Sequence, residues 1–212
     1  IVFGDWSSDV CSSDLILTVS DFIEPILYNQ FQPEFFKGID LILSCGDLQP
    51  EYLSFLSSRI DAPLYYVKGN HDLRYSESPP RNCNNIDSRL IRFKHLRILG
   101  LEGSRWYNGN PIQYTDAQMR KKIRKVLPKL WWWRGVDIII THAPPRYIGD
   151  AEDLCHRGFR SFHHLIDRFS PRYFIHGHIH AHFKDPSERI RIVKNTRVIN
   201  TVGHFLLEIH EK

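Results

Sequence analysis

Five times along this chain a short apolar run stops at residues of the kind that bind metal ions. Residues 16–20 end at Asp21, residues 40–44 at Cys45-Gly46-Asp47, and residues 64–67 lead into Gly69-Asn70-His71-Asp72. Residues 136–140, the most apolar run, deliver Thr141-His142, and residues 172–175 deliver His176-Gly177-His178-Ile179-His180. Apolar runs of this length bounded by turn residues read as buried strands. Between the second and third lies 50–59, where Pro50 suits a helix start and Tyr52, Leu53, Phe55 and Leu56 make an apolar face. Strands alternating with helices imply parallel strands with crossover helices, a layout that collects ligands at the carboxyl ends of the strands.

Gly69 lets the backbone turn sharply, and the next three side chains are an amide oxygen, an imidazole and a carboxylate. That mixture suits a hard or borderline divalent metal plus a proton donor. Alone, the less favoured reading is an Asn/Gly turn with a surface histidine. Five such strand ends together favour the metal.

The remaining segments are read from local pattern. A helix is expected from Pro25 through Leu27 and Tyr28. The segment 74–87, with Pro79-Pro80 and three asparagines, reads as a lid-like loop. Residues 91–93 and 97–101 pair as strands around Lys94-His95. Thr115 and Gln118 form a capping box that opens a helix running into the basic stretch 120–125. Trp131-Trp132-Trp133 could stack bases, but packing at a helix end is the commoner use. A polar loop, 146–158, precedes a helix at 159–169, and the tail alternates as antiparallel strands at 190–193, 197–201 and 204–209.

With 42% hydrophobic and 25% charged residues over 212 positions, the chain can bury a sizeable core, and no run is long enough to span a membrane. The net charge of +4 is mildly basic, which a solvated helix face explains as well as a nucleic-acid patch. Its twelve histidines lean towards metal. Cys45, Cys83 and Cys155 show no close pairing and read as reduced thiols of a cytoplasmic protein. Residues 1–15, dense in Ser and Asp and without periodicity, resemble a translated sequencing adapter. They are read as a disordered, non-native scar ahead of a single domain at 16–212.

The ordered set Asp21, Gly46-Asp47, Gly69-Asn70-His71-Asp72, His142 and Gly177-His178-Ile179-His180 resembles the calcineurin-like metallophosphoesterases. That resemblance implies a four-layer αββα sandwich, two mixed β-sheets packed face to face with helices outside. It implies two divalent ions (Mn, Fe, Zn, Co or Ni), with Asp47 bridging them. Asp21 and His180 would hold the first, and Asn70, His142 and His178 the second. Two cations roughly 3.5–4 Å apart can share an attacking hydroxide and clamp the phosphoryl oxygens of an in-line displacement. His71 would donate a proton to the leaving oxygen, with Asp72 orienting its ring.

The pattern breaks at Ile23, which stands where the family has its first histidine. Three outcomes are open: a looser first metal, completion by Glu24 or water, or one tight metal only. Arg146, Asn108, Arg105 and His156 are the loop candidates for substrate contact. The expected function is hydrolysis of a phosphodiester or phosphomonoester; nucleic acid is a less favoured partner and a membrane is not expected. The rival is a catalytically weakened, metal-binding interaction module of the same fold. Neither the substrate nor the oligomeric state is legible in the residues.

Overall fold

Neighbouring residues on a strand point to opposite faces, and here both faces of the central strands are apolar. The computed structural model, which describes residues 13–210, gives each face a partner layer. The elements run β1 (Ser13–Ser20), β2 (Ile39–Ser44), α1 (Pro50–Arg59), β3 (Leu64–Tyr66), β4 (Cys83–Asn85), β5 (Arg89–Phe93) and β6 (Leu96–Leu101). There follow β7 (Ser104–Arg105), β8 (Gln113–Tyr114), α2 (Asp116–Trp132), β9 (Ile138–Thr141), α3 (Ser161–Phe169) and β10 (Tyr173–His176). The chain ends with β11 (Ile190–Val193), β12 (Thr196–Asn200) and β13 (Gly203–His210).

Two mixed sheets result, ordered β13-β1-β2-β3-β4 and β11-β12-β10-β9-β6-β5, with β7 and β8 as a small separate pair. Strands β1 to β4 are mutually parallel, as are β12, β10, β9 and β6; β13, β11 and β5 add antiparallel edges. The carboxyl ends of each parallel set therefore lie together.

Three apolar clusters glue the four layers. Ile16, Leu41 and Leu43 of the first sheet meet Ile98, Ile138, Ile140 and Ile175 of the second. Their neighbours face outward: Leu17 and Ile42 pack under Leu53 and Leu56 of α1, whereas Leu99, Ile139 and Phe174 pack under Met119, Ile123, Phe162 and Leu165 of α2 and α3. This is the expected αββα sandwich.

Several local expectations are met. Helix α1 spans 50–59, Thr115 and Gln118 close a reciprocal capping box, and β5 and β6 form a hairpin around Lys94-His95. Others need correction. The helix expected at Pro25 is a 3-10 turn, Pro25–Leu27, followed by a second at Pro33–Phe36. A proline at the start of each turn and only a few residues between them leave no length for an α-helix. The segment 74–87 is not simply a lid: Leu73–Ser76 is a 3-10 turn, and β4 extends the first sheet beside β3. Of the three tryptophans only Trp133 packs on the core, while Trp131 and Trp132 are 58% and 85% exposed.

Residues 1–12, most of the segment read as non-native, lie outside the described residues. Ser13, Asp14 and Leu15 begin β1, pairing with His210, Ile209 and Glu208, and buried Asp14 receives Lys94 at 2.6 Å.

One ion pair ties α2 to the second sheet at the end away from the ligand residues. Arg97 grips Asp137 through Nε and Nη2, both at 2.8 Å, and its Nη1 donates to the carbonyls of Trp133 and Arg134. Burial would raise the Asp137 carboxyl, but Arg97 holds it below the usual carboxylate range. Such a group stabilises fully above its unfolded pKa of about 3.9 and loses that contribution as pH falls through the lower folded value. Asp137→Asn is expected to cost about 2 kcal/mol at pH 7 in urea unfolding. The deficit against the native chain should shrink as the titration is repeated below about pH 4.

Candidate metal centre

Strand ends aim the ligands, and left-handed kinks finish the job. Asp21, Asp47 and His178 have φ of 62°, 56° and 67°, a region that non-glycine residues enter at a cost and that recurs at functional sites. Asp21 directly follows β1, His178 stands two residues past β10 and Asp47 three past β2, so all three kinks lie at strand ends. Two glycines make the crowding tolerable. A Cβ on Gly69 would overlap Asp47 Oδ1, and one on Gly177 would overlap Asp21 Oδ2.

Asp47, His142 and His178 form the centre, each offering one donor atom within 4.8 Å of the others. Asp47 Oδ2 lies 3.2 Å and Asn70 Oδ1 3.1 Å from His142 Nε2. The other ring nitrogens are spoken for: His142 Nδ1 lies 2.8 Å from the Cys45 carbonyl and His178 Nε2 2.8 Å from the Cys155 carbonyl. A carbonyl can only accept, so each ring presents its N–H there and leaves the opposite nitrogen for the centre. Carboxylate, amide oxygen and two oriented imidazoles are a donor set that fits a divalent transition metal.

The electrostatics agree. Burial would raise Asp47, yet His142 and the backbone N–H of His71 (2.8 Å) bring its carboxyl to about 2. Burial would lower His142, but Asp47 and Asp21 lift it to about 9, the mark of a site rich in negative charge. His178 is pushed down by burial and by His142, which keeps its ring a neutral donor.

The residues assigned to a first metal are close by but looser. Asp21 Oδ1 lies 3.3 Å from His180 Nε2, and Asp21 accepts the backbone N–H of His178. The His180 side chain is 66% exposed, and neither residue belongs to the three-donor group. Ile23 faces inward, packed on the cluster beneath α1. Glu24 sits 3.8 Å from His204 in a cavity of about 440 Å³ that also touches Asp21, His180 and Arg189.

The other expected residues divide. His71 is exposed and borders a cleft with Asp47, Leu48 and Arg74. Asp72 does not steer the His71 ring, because its carboxylate is committed to the backbone N–H groups of Asp47, Leu48 and Gly69 at 2.8, 3.1 and 2.8 Å. His156 reaches the centre, its ring 5.2 Å from that of His178. Arg146 is corrected: buried, it donates to Asp150 (2.7 Å), Glu152 (2.6 Å) and the Ala151 carbonyl, so it staples its own loop. Asn108 likewise holds a turn through Gln113 and Asn110. Arg105 lies half-buried on β7, with no hydrogen bond or ion pair from its side chain to the centre.

Tyr107 lies outside the expected set. Its hydroxyl is 3.3 Å from Asn70 Nδ2, which turns the Asn70 carbonyl oxygen towards His142. The only clue in the sequence is a tyrosine within the loop 102–114. Groups that orient ligands typically matter 10–100-fold to metal affinity. Tyr107→Phe is therefore expected to weaken manganese binding about tenfold in calorimetry. Gly69→Ala, which must displace Asp47, should lose stoichiometric metal while its far-UV circular dichroism remains native.

A family model described as calcineurin-like phosphoesterase matches residues 1–182. No curated protein matches the chain significantly. Among solved structures, TT1561 of Thermus thermophilus is 17% identical with a TM-score of 0.62, over 91% of this chain and 90% of that one. The calcineurin-like phosphoesterase YfkN from Bacillus subtilis is 10% identical with a TM-score of 0.50, over 93% and 90%. GAP50, the anchor in the inner membrane complex of Plasmodium, is 12% identical with a TM-score of 0.51, over 89% and 71%. At such identities the structural likeness is one of fold, while the family match covers most of the sequence: the chain belongs to the calcineurin-like phosphoesterase family.

Proposed function

We propose that this chain is a metal-dependent phosphoesterase that hydrolyses a phosphodiester or phosphomonoester with water as nucleophile. The observation that carries this reading is the meeting of Asp47, His142 and His178 at the strand ends, with both imidazoles oriented by backbone carbonyls. Asp47, Asn70, His142 and His178 would hold one divalent ion, and Asp21 and His180, sharing Asp47, a weaker second. When bound, such ions supply positive charge to the phosphoryl oxygens and lower the pKa of a water from 15.7 towards about 7.

The chain's own side chains do the rest. His71 stands exposed at the rim, next to Asp47 but outside the donor group, where its ring can give a proton to the departing oxygen. Asp72 fixes the turn that carries His71 by holding Gly69, and Tyr107 keeps the Asn70 oxygen on the centre. His156, at the mouth beside His178, is placed to meet the substrate. Arg146 serves indirectly by holding the loop that presents His156 and the Cys155 carbonyl.

A second reading has its own support in Ile23. With that side chain packed on the core and His180 exposed, the first ion has few donors, as suits a metal-binding interaction module with weakened catalysis. The fold also occurs in GAP50, an anchor in the inner membrane complex of Plasmodium.

Turnover separates the two. Metal-stripped protein refilled with manganese is expected to hydrolyse bis-p-nitrophenyl phosphate, p-nitrophenyl phosphate or both. His71→Ala should lower kcat about 10²–10⁴-fold with metal content unchanged. Silence on both esters in metal-loaded protein would favour the interaction module.

A further inference from the structure

The outer face of α2 is far more basic than the mild net charge suggests. Met119, Ile123, Val126 and Leu130 are buried, which leaves Arg120, Lys121, Arg124, Lys125 and Lys129 in solvent. Only Arg120 among these has an ion-pair partner among the described residues, Asp116 at 3.2 Å. At 100° per residue, Arg120, Arg124 and exposed Trp131 share the edge of α2 that faces α3. There the helices enclose a groove of about 400 Å³, lined by Arg120, Arg124 and Leu127 on one side and Arg160 and His164 on the other. Its single carboxylate, Asp116, is committed to Arg120 and to the backbone N–H of Ser161.

A hydrogen bond links the groove to the loop beside the metal centre. Arg160 donates to the Tyr147 hydroxyl at 3.0 Å, and Tyr147, 63% exposed, opens the loop that brings His156 against His178. The side chains then run Tyr147, Arg160, Arg120 and Arg124, with Trp131 about two turns further along the same edge of α2. Cations that follow a phosphate backbone, interleaved with aromatic rings on which bases stack, make a surface for single-stranded nucleic acid. A membrane would call for the exposed rings on one apolar face; here Tyr147 stands beside Arg160, Trp131 lies beyond Arg124 and Trp132 is turned about 100° away, with charged side chains between them.

We infer that the α2–α3 groove binds single-stranded nucleic acid whose backbone continues into the metal centre. The assignment rests on the phosphoesterase reading for its direction, but the binding itself is measured without turnover. A fluorescein-labelled oligothymidylate of about 20 nucleotides, titrated with the whole chain in EDTA, should bind saturably. Neutralising about three phosphates gives a salt slope near −2, or about 20-fold weaker binding at 200 mM than at 50 mM salt. The double variant Arg124→Ala with Arg160→Ala should make that slope shallower by about 1.4 and weaken binding at least about tenfold. Trp131→Ala should weaken binding about tenfold without changing the slope.

No saturable binding at about 50 mM salt, or a double variant that binds as the native chain does, overturns the inference. So does uptake by phosphatidylserine vesicles that the double variant loses, if the oligonucleotide is ignored, because the partner is then a membrane. Turnover of bis-p-nitrophenyl phosphate, measured alongside, keeps the two readings apart. Turnover without oligonucleotide binding sinks this inference alone, and binding without turnover sinks the phosphoesterase reading alone.

Discussion

The structure of the centre depends on how one carboxylate holds another. Asp72 draws the backbone N–H groups of Asp47, Leu48 and Gly69 onto its two oxygens, fastening the turn after β2 to the turn after β3. A hydrogen bond typically contributes about 0.5–1.5 kcal/mol, and leaving a buried partner unpaired costs about 1–3 kcal/mol. With the turns fastened, Asp47 sits in a left-handed kink with its oxygens on His71 N–H and His142. The two carboxylates then separate in character. Burial and the nearby charge of Asp47 raise Asp72 to about 7, whereas His142 and the His71 N–H bring Asp47 to about 2. The member of the pair that faces the centre keeps its charge for a ligand, and the more deeply buried one serves the backbone.

Much of this was legible in the sequence, for a physical reason. Apolar runs that must be buried on both faces announce central strands, and chemistry gathers where such strands end. Asp47, Asn70, His142 and His178 come together, with Asp21 close by, because each follows a buried run. What stayed hidden depends on contacts across space. The carbonyls of Cys45 and Cys155 orient two imidazoles, yet a carbonyl is present at every residue and leaves no mark in a sequence. Arg146 reads as free to meet a phosphate, but Asp150 and Glu152 in the same loop fold back onto it. Strand β4 is Cys83-Asn84-Asn85, a composition that suggests a turn; its place beside β3 makes it a strand.

The departure at Ile23 gains meaning from the packing. A histidine there would have to leave the surface beneath α1, where Ile23 lies against the core. The chain has instead placed a carboxylate next door, and Glu24 opens to the cavity shared by Asp21, His180 and Arg189. Glu24 also lies under Gly203, whose Cβ, were there one, would overlap Glu24 Oε1. Glycine at the start of β13 suits its left-handed φ of 75° and leaves room for Glu24 beside Asp21 and His180.

Layer order sets the surroundings of the centre, which lies where the carboxyl ends of both parallel sets meet. The flank under Glu24 is a cavity bounded by Phe22, Phe183 and Arg189. The flank over α2 and α3 is a groove between two helices whose amino ends are tied together by Asp116 and Ser161. The cations of the second flank are set mainly on helices, so their spacing depends little on the loops beside the centre.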